Sequence, residues 1–382
     1  MSALEGYPLL GHLPAWTGEP LELLERHAES GQPFWLRLGR PAIVGFHPEW
    51  NRWVLGNLEA LRSRTSFSRW IPHLNGGVIT LDAPQHRPRR KELAEPFGAT
   101  WLQRWRARLS TAVRVPPGRF EALRWSDTTT LELLNQVFFS GDFDPELLGR
   151  YLAPLRRPFP VPMVPRPALL RSVQRELARL TELRRGQPGR DLLSSLGGLE
   201  GRSEELRIAL GAAHDTTSHA LAWTIWHLAL HPEWNTEEGR RLAFRETLRL
   251  YPPGWMGSRV AARPLTFGAL QIPRGSLVLY SPYLCHRSQV WESPLSFLPG
   301  RFRGRIPAWG YLPFGGGERT CLGMHLAELI VGVALEALGG LRASWGNPSP
   351  VAGVTLGPKG PLWVERAAMA GRARWQQASQ TP

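Results

Sequence analysis

The chain has 382 residues, a formal net charge of +14 and 17 tryptophans, and 42% of it is hydrophobic. This composition indicates a globular protein with a large apolar core and excludes a disordered or fibrous chain. The positive charge comes almost wholly from arginine and forms no basic stripe with a nucleic-acid-binding motif, so we predict no nucleic-acid partner.

The two cysteines do not make a disulfide framework in so long a chain, which favours a reducing cytoplasm. The first residues, MSALEGYPLLGHLPAW, lack the basic and apolar segments of a secretory signal or a membrane anchor. We therefore predict a cytoplasmic chain without a membrane span, with one domain over 1–370 and a flexible tail over 371–382. A loose contact with a membrane surface stays open.

The first predicted element is a short β-hairpin at 34–46, where apolar and polar residues alternate around a Gly-Arg-Pro turn. Apolar residues at helical spacing then predict helices over 91–112, 128–139, 168–185, 204–230 and 237–250. The predicted fold class is mainly α with small β-sheets (α+β).

Two segments interrupt this helical pattern. The stretch 154–167, PLRRPFPVPMVPRP, carries six prolines and cannot form a regular helix. A stiff connector and a mobile lid over a pocket both remain open for it. Inside the long apolar stretch 208–231, residues 214–219 read HDTTSH, a polar run that is unfavourable in a buried helix unless it faces a site. Thr and Ser in such a run can bend a helix by bonding back to its carbonyls.

Residues 314–323 read FGGGERTCLG and put Cys321 between a glycine run and an apolar helical pattern. No Lys-Ser or Lys-Thr follows the glycines, and Thr320 stands where a dinucleotide motif needs a small residue, so both phosphate-binding motifs are excluded. A sulfur at the start of a helix is expected to have a lowered pKa, and the glycines are expected to aim N–H groups at it. An anionic sulfur held in this way is a good metal ligand.

Three other interpretations of Cys321 stay open at this point. Zinc could be bound by Cys285, His286, Cys321 and His325, although their spacing matches no common zinc unit. A catalytic nucleophile would need one of the histidines as its base. A buried cysteine could also simply cap the helix that follows.

The residues Phe314, Gly315, Gly317, Arg319, Cys321 and Gly323 resemble the haem-binding signature of the cytochrome P-450 family of haem-thiolate monooxygenases. Three further segments resemble family motifs in the same order, namely AAHDT at 212–216, ETLR at 246–249 and FLPGRF at 297–302. The resemblance implies the cytochrome P-450 fold, with haem b between the long central helix and the helix that follows the cysteine loop.

The resemblance also implies roles for individual residues. Cys321 would be the iron ligand, and the other cofactor-binding residues would be His86, Arg90, Arg259, Phe314, Arg319 and Gly323. Asp215 and Thr216 would relay protons to the distal oxygen of bound dioxygen. Glu246, Arg249 and Arg301 would form a buried structural triad. The substrate pocket would include Phe67, Trp70, Ile71, Leu74, Ala212 and Ala213, with 250–260 and 356–362 lining the rest; Ala213 stands where the family usually has glycine.

The implied reaction is insertion of one oxygen atom of O2 into an apolar substrate. The short length and the run ETLRLYPPGWMGSRV resemble the compact bacterial branch that hydroxylates carotenoid rings, and fatty-acid or terpenoid hydroxylation is the alternative. Asp215 and Thr216 argue against a peroxygenase. A non-catalytic haem sensor or carrier is an alternative of another class. Since the sequence has no flavin or iron–sulfur motif, electrons from NAD(P)H are expected to arrive through a separate ferredoxin and ferredoxin reductase. The protein itself is expected to be a monomer.

Overall fold

The structure is a computed structural model that describes residue 7 and residues 9–64 and 70–366. Phe67 and the predicted tail 371–382 lie outside the described residues. The helices are α1 Leu13–Gly18, α2 Pro20–Ala28, α3 Pro48–Gly56, α4 Gly77–Thr80, α5 His86–Ala94, α6 Ala99–Gln103, α7 Arg106–Ala112, α8 Ala122–Phe139, α9 Pro145–Leu152, α10 Pro167–Gly186, α11 Leu192–Ser195, α12 Arg202–Leu230, α13 Glu237–Leu250, α14 Pro282–Arg287 and α15 Met324–Leu338.

The strands are shorter and form four small sheets. They are β1 Phe34–Arg37, β2 Pro41–Gly45, β3 Leu61–Arg62, β4 Arg119–Glu121, β5 Gly257–Ala261, β6 Leu265–Phe267, β7 Leu270–Ile272, β8 Leu277–Tyr280, β9 Leu341–Gly346, β10 Pro350–Ala352, β11 Leu356–Pro358 and β12 Leu362–Arg366. The largest sheet has the order β1-β2-β8-β5-β3, a second has β4-β12-β9, and two pairs are β10-β11 and β6-β7. The predicted hairpin is β1–β2, paired antiparallel from Phe34 opposite Val44 to Arg37 opposite Pro41.

The long helix α12 is the centre of the helical layer and packs against α8, α13 and α15. Its 29 residues are almost all buried after the first turn. At 1.5 Å per residue it is about 43 Å long, enough to cross the whole domain. Glu204 and Glu205 lie in its first turn, where carboxylates complement the positive end of the helix dipole. The helix is continuous through the predicted polar run. Its N-terminal half packs in one of the two largest apolar clusters of the core and its C-terminal half in the other.

The helices predicted over 128–139, 168–185, 204–230 and 237–250 are present as α8, α10, α12 and α13. The single helix predicted over 91–112 is wrong. Pro96 and Gly98 separate α5 from α6 through a 3₁₀ turn at Glu95–Phe97, and a further break at 104–105 separates α6 from α7. Proline removes a backbone N–H and clashes with the preceding turn, so an apolar pattern alone cannot carry a helix through it.

The proline-rich segment 154–167 forms two 3₁₀ turns, Ala153–Arg156 and Val161–Met163, that lead into α10. The side chains of Met163 and Val164 are exposed. Residues 154–167 are all described, and none of them lines the large internal cavity. Within the described part of the chain, no helix is long and apolar enough to cross a membrane.

Candidate active site

The loop that carries Cys321 is shaped by glycines with positive φ angles. Gly315 has φ +68° and Gly317 has φ +64°, conformations that residues with a Cβ rarely adopt. A 3₁₀ turn follows at Gly317–Arg319, and the N–H of Cys321 then donates to the carbonyl of Phe314 over 2.7 Å. The loop therefore turns back on itself and presents the Cys321 side chain to the internal cavity, whose wall it forms.

The expected lowering of the Cys321 pKa is wrong for the protein without metal. Burial raises the pKa of the Cys321 thiol, and the opposing hydrogen bond from the Gly323 N–H and the positive charge of Arg90 do not offset it. The helix α15 begins only at Met324, so Cys321 lies outside its first turn. The expected N–H donor is present, but the dipole of the helix is farther away than the sequence pattern suggested.

The cavity has a volume of about 430 Å³ and lies between α12 and the Cys321 loop. Most of its wall is apolar. The apolar or small side chains include Val78, Ile79, Leu93, Phe97, Phe138, Ala209, Ala212, Ala213, Ala220, Phe244, Leu248, Met256, Phe314 and Leu326. Its polar wall consists of Ser63, His86, Arg90, Glu205, Thr216, Thr217, Arg259, Tyr280, Arg319, Thr320 and Cys321.

Arginine side chains form a cationic cluster on one part of the cavity wall. Burial, together with the positive charge of Arg259, lowers the pKa of Arg319 to about 10. The Nε atoms of Arg259 and Arg319 and the hydroxyl of Ser63 are buried and have no hydrogen-bond partner among the described residues. Unpaired buried donors are costly. Asp82 lies 3.7 Å from Arg319 Nη2 but does not reach the two Nε atoms, so the cluster can still bind a further anionic group.

Haem b fits this cavity. Its two propionates would accept hydrogen bonds from the unpartnered Nε–H groups of Arg259 and Arg319, its macrocycle would lie against the apolar wall, and Cys321 would reach its iron. Arg319 also donates to the carbonyls of Ile79 and Leu81, so it ties the cysteine loop to the opposite wall.

His86 and Arg90 lie on the same wall. His86 donates from Nδ1 to the Glu318 carboxylate over 3.1 Å, and burial lowers its pKa despite that partner. Arg90 donates to the carbonyl of Thr320, the residue before the cysteine, over 2.6 Å. Both side chains are one helical turn apart on α5, because residues i and i+4 share a helix face. The structure thus brings all four predicted propionate-binding residues to one cavity.

Thr216 lies on the cavity wall formed by α12. Its hydroxyl donates to the carbonyl of Ala212 over 2.7 Å and also lies 3.2 Å from the carbonyl of Ala213. Such bonding back to the preceding turn loosens the backbone ladder without interrupting the helix. Ala212 and Ala213 also line the cavity, as the sequence predicts.

Asp215 points away from the cavity, in contrast to the sequence-based expectation of an acid beside Thr216 in the oxygen pocket. Its Oδ1 accepts from His214 Nδ1 at 2.9 Å and from Arg156 Nε at 3.3 Å. Burial alone would raise the pKa of Asp215, but the hydrogen bond from His214 and the nearby positive charges lower it. The group is therefore held as a carboxylate, and it must first accept a proton before it can donate one. Its other oxygen is buried and unpartnered among the described residues.

The three predicted triad residues meet in a buried ion-pair network. Glu246 Oε2 accepts from Arg249 Nε at 2.8 Å, and Glu246 Oε1 accepts from Arg249 Nη2 at 2.9 Å and from Arg301 Nε at 3.2 Å. Arg249 donates further to the carbonyls of His286, Pro294 and Ser296. The network joins α13 to the segment that leads to the cysteine loop.

Several expected pocket residues lie elsewhere. Among the described residues, Trp70 is exposed and Ile71 and Leu74 pack into the helical core, so none of the three lines the cavity. The turn 356–362 belongs to the small sheets and does not line the cavity either, whereas Pro253, Gly254, Met256, Gly257 and Arg259 of the segment 250–260 do. A loop cannot be placed by its apolar content alone, because the same residues satisfy a core and a pocket wall equally well.

The zinc interpretation fails on geometry. Cys285 accepts a hydrogen bond from Asn51 at 3.3 Å, and burial raises its pKa to about 12. His286 donates from Nδ1 to the carbonyl of Arg249 and accepts the N–H of Leu312 at Nε2, so both ring nitrogens are occupied. In the described part of the chain, no three His, Cys, Asp or Glu side chains form a metal-binding group.

Comparisons with known proteins agree with this geometry. The family model described as Cytochrome P450 matches residues 241–338, which include the triad glutamate and the cysteine loop. Cyclooctatin synthase of Streptomyces melanosporofaciens is 28% identical, with 92% of this chain and 93% of the relative covered. Pentalenene oxygenase of Streptomyces avermitilis is 25% identical over 87% of this chain and 88% of the relative.

Solved structures extend the likeness to the fold. A 6-coordinated cytochrome P450 from Thermus thermophilus superposes with a TM-score of 0.77 at 28% identity, covering 91% of this chain and 98% of the other. Retinoic acid bound cyanobacterial CYP120A1 gives a TM-score of 0.82 over 94% of this chain and 97% of the other, and its 22% identity supports the fold alone.

The described residues combine a helix-rich fold with a cavity that has a cysteine on its wall and two arginines whose Nε atoms are unpartnered, an arrangement that fits haem. The chain has the cytochrome P450 fold, and the relatives it resembles are named as oxygenases and monooxygenases. The fold class predicted from the sequence is confirmed.

Proposed function

We propose that the protein hydroxylates an apolar cyclic terpenoid, with haem bound to Cys321. The observation that carries this proposal is an apolar cavity that has Cys321 on one wall and Thr216 on another. The substrate class is supported by the names of two relatives, cyclooctat-9-en-7-ol 5-monooxygenase of Streptomyces melanosporofaciens, 28% identical over 91% of this chain and 89% of the relative, and the pentalenene oxygenase. Carotenoid hydroxylation remains the competing proposal.

Different residues of the cavity have different roles in the proposed reaction. Haem bound to a cysteine thiolate supplies the activation of dioxygen. Arg90, Arg259 and Arg319 would neutralise the propionates and, together with His86, would fix the orientation of the macrocycle. The apolar wall holds the substrate and excludes water, which strengthens each polar interaction inside the cavity. Thr216 offers a hydroxyl that can pass on a proton at its Oγ1.

Proton supply to Thr216 is proposed to involve Asp215. This carboxylate faces His214 and the half-buried Arg156, whose Nη1 also pairs with Asp127 Oδ2 at 2.5 Å. A rotation of the Asp215 side chain would carry a proton from this polar cluster towards Thr216. Electrons are proposed to come from NAD(P)H through a separate ferredoxin and its reductase.

The substrate class is tested by titrating the haem-loaded protein with cyclic terpenes, carotenoids and fatty acids and recording the spin-state shift of the haem spectrum. We expect cyclic terpenoids to give the largest shift and to yield a hydroxylated product with reductant and O2. A shift with carotenoids or fatty acids alone would overturn the proposed substrate class. Haem-loaded protein that yields no oxygenated product from any ligand that binds would instead favour a sensor or carrier.

Thr216→Val tests the role of the hydroxyl, because valine keeps the shape of threonine and removes its oxygen. We expect substrate binding to stay within about twofold, while the rate of product formation falls by about 10²-fold, the scale of a lost proton donor. The electrons then appear as hydrogen peroxide, measured together with product. Thr224→Val is the matched control: Thr224 makes the same 2.7 Å bond to the carbonyl four residues back, and it does not line the cavity. Equal product rates in both variants would refute the relay.

A further inference from the structure

Glu205 is the only carboxylate on the cavity wall among the described residues. Its side chain is 5% exposed. On α12 it lies four residues before Ala209, seven before Ala212 and eleven before Thr216, so the 3.6-residue period places all four on one face of the helix. That face forms the cavity wall. The carboxylate therefore belongs to the same cavity as the reacting centre, about 16 Å along the helix axis from Thr216 at 1.5 Å per residue.

The contacts of Glu205 leave part of its hydrogen-bonding capacity unused. Oε1 accepts from Arg89 Nε at 2.8 Å, and Oε2 accepts from the Val78 N–H at 3.0 Å. A carboxylate has about four acceptor positions on its two oxygens, so each oxygen keeps one that these partners do not use. Gly77, with φ +49°, lets the backbone approach closely: a Cβ there would lie 2.5 Å from Oε2. The carboxylate is thus fixed in place rather than free to turn.

The surroundings of Glu205 select the chemistry of a ligand. Arg89 neutralises the carboxylate, so a cationic ligand gains little and would meet a like charge. An anion would need hydrogen-bond donors, and the Glu205 carboxylate offers only acceptor positions. The neighbouring cavity residues Val78, Ile208 and Ala209 are apolar. The ligand that fits this part of the cavity is a neutral hydrogen-bond donor on a hydrocarbon frame. An alcohol has this chemistry.

We propose that Glu205 is a subsite for the hydroxyl group of the substrate, so that the preferred substrate is a terpenoid alcohol oxidised at a carbon remote from that hydroxyl. This inference rests on the proposed terpenoid function and narrows it. Measured along α12 from Glu205 to Ala212, the two ends of the substrate are roughly 10 Å apart. A frame of diterpenoid size spans that separation. The carboxylate then accepts the substrate O–H, while the far end of the frame lies beside Ala212, one helical turn before Thr216.

The test is a binding titration of the haem-loaded protein, in which the spin-state change of the haem spectrum reports binding. The probes are abietadienol and abietadiene, together with two further cyclic diterpene pairs that differ by a single hydroxyl. We expect each alcohol to bind at least about tenfold more tightly than its hydrocarbon, because a site built to bond a hydroxyl discriminates against the analogue that lacks it. Glu205→Gln is expected to reduce the ratio to below about threefold, since it removes charge and one acceptor oxygen.

Arg89→Gln is the matched control. It breaks the same ion pair but leaves the Glu205 carboxylate on the Val78 N–H, so the preference for alcohols should persist at about tenfold. If Glu205 only anchors the wall, both substitutions will weaken alcohol and hydrocarbon alike, and the subsite is refuted. If Glu205→Gln does not load haem, Glu205→Asp replaces it; withdrawing the carboxylate by one methylene should weaken the alcohol more than the hydrocarbon.

The remaining outcomes separate this inference from the proposed function. Equal binding of alcohols and hydrocarbons by the unsubstituted protein, with product formed from both, overturns the subsite and leaves the terpenoid function standing. Binding of neither member of any pair, in protein that shifts with carotenoids or fatty acids, overturns both.

Discussion

Cys321→Ser is expected to abolish the red-shifted absorption band of the reduced carbon monoxide complex and to lower monooxygenase turnover by at least about 10³-fold, or about 4 kcal/mol of activation free energy. Serine is nearly isosteric, but its hydroxyl does not ionise near neutral pH and cannot donate the electron density that a thiolate gives to haem iron. The measurement is the difference spectrum of haem-loaded protein, with product formation assayed in parallel. A variant that keeps the band would show that another residue is the iron ligand.

Cys285→Ser is the control for this substitution, because it makes the same change at the other cysteine. Cys285 is fully buried and does not line the cavity, and its sulfur accepts a hydrogen bond from Asn51. A serine hydroxyl can accept the same hydrogen bond, so the expected cost is about 1 kcal/mol of stability. The red-shifted band and the turnover should both remain. Loss of the band in this variant alone would assign the ligand to Cys285 and contradict the site.

The cysteine loop was predictable because the same ten consecutive residues, 314–323, determine both its chemistry and its backbone geometry. Gly315 and Gly317 stand where the backbone has positive φ, and Arg319 and Cys321 both reach the cavity. Glu246 and Arg249 were predictable for a similar reason, since residues three apart on a helix share a face. In these cases the relevant distance is local, and the sequence spacing determines it.

Contacts between distant segments were not predictable in the same way. Arg156 lies 59 residues before Asp215 in a segment whose prolines suggested a connector or a lid, and only the packing of that segment beside α12 brings the two charges together. The orientation of Asp215 away from the cavity follows from this contact and from His214. The Cys321 pKa also depends on burial, which a helix-start pattern does not report.

Glu205 lies between these two cases. The helix over 204–230 was predicted, and its period alone puts residue 205 on the face of Thr216, so helix geometry contained the signal. The sequence could not predict which residues contact the Glu205 carboxylate. A glutamate in the first turn of a helix is most simply explained by the helix dipole, and the contacts with Arg89 and Val78 come from chain segments more than a hundred residues away.

The second large effect is expected at the buried triad. Glu246→Ala should lower the free energy of unfolding by about 3–5 kcal/mol, because it leaves the guanidinium groups of Arg249 and Arg301 buried without their counterion. Since the total stability of a domain is about 5–15 kcal/mol, much of the variant should fail to accumulate as folded, haem-containing protein. The site itself is untouched, so the molecules that do fold should keep the thiolate band. Urea unfolding of the purified protein and the haem content per chain measure both effects.

Glu238→Ala provides the comparison on the same helix. Glu238 makes two hydrogen bonds to Arg303, at 3.1 and 3.0 Å, but both side chains are more than half exposed. Surface ion pairs contribute about 0–1 kcal/mol, since water competes for both charges, so this variant should unfold close to the parent protein. Glu246→Gln separates charge from shape, because an amide oxygen at the Oε1 position keeps an acceptor for Arg249 Nη2 and for the Leu298 N–H while the negative charge is removed. If burial of charge is the cause, Glu246→Gln will resemble Glu246→Ala; if it resembles Glu238→Ala, packing around the carboxylate matters more than the ion pairs.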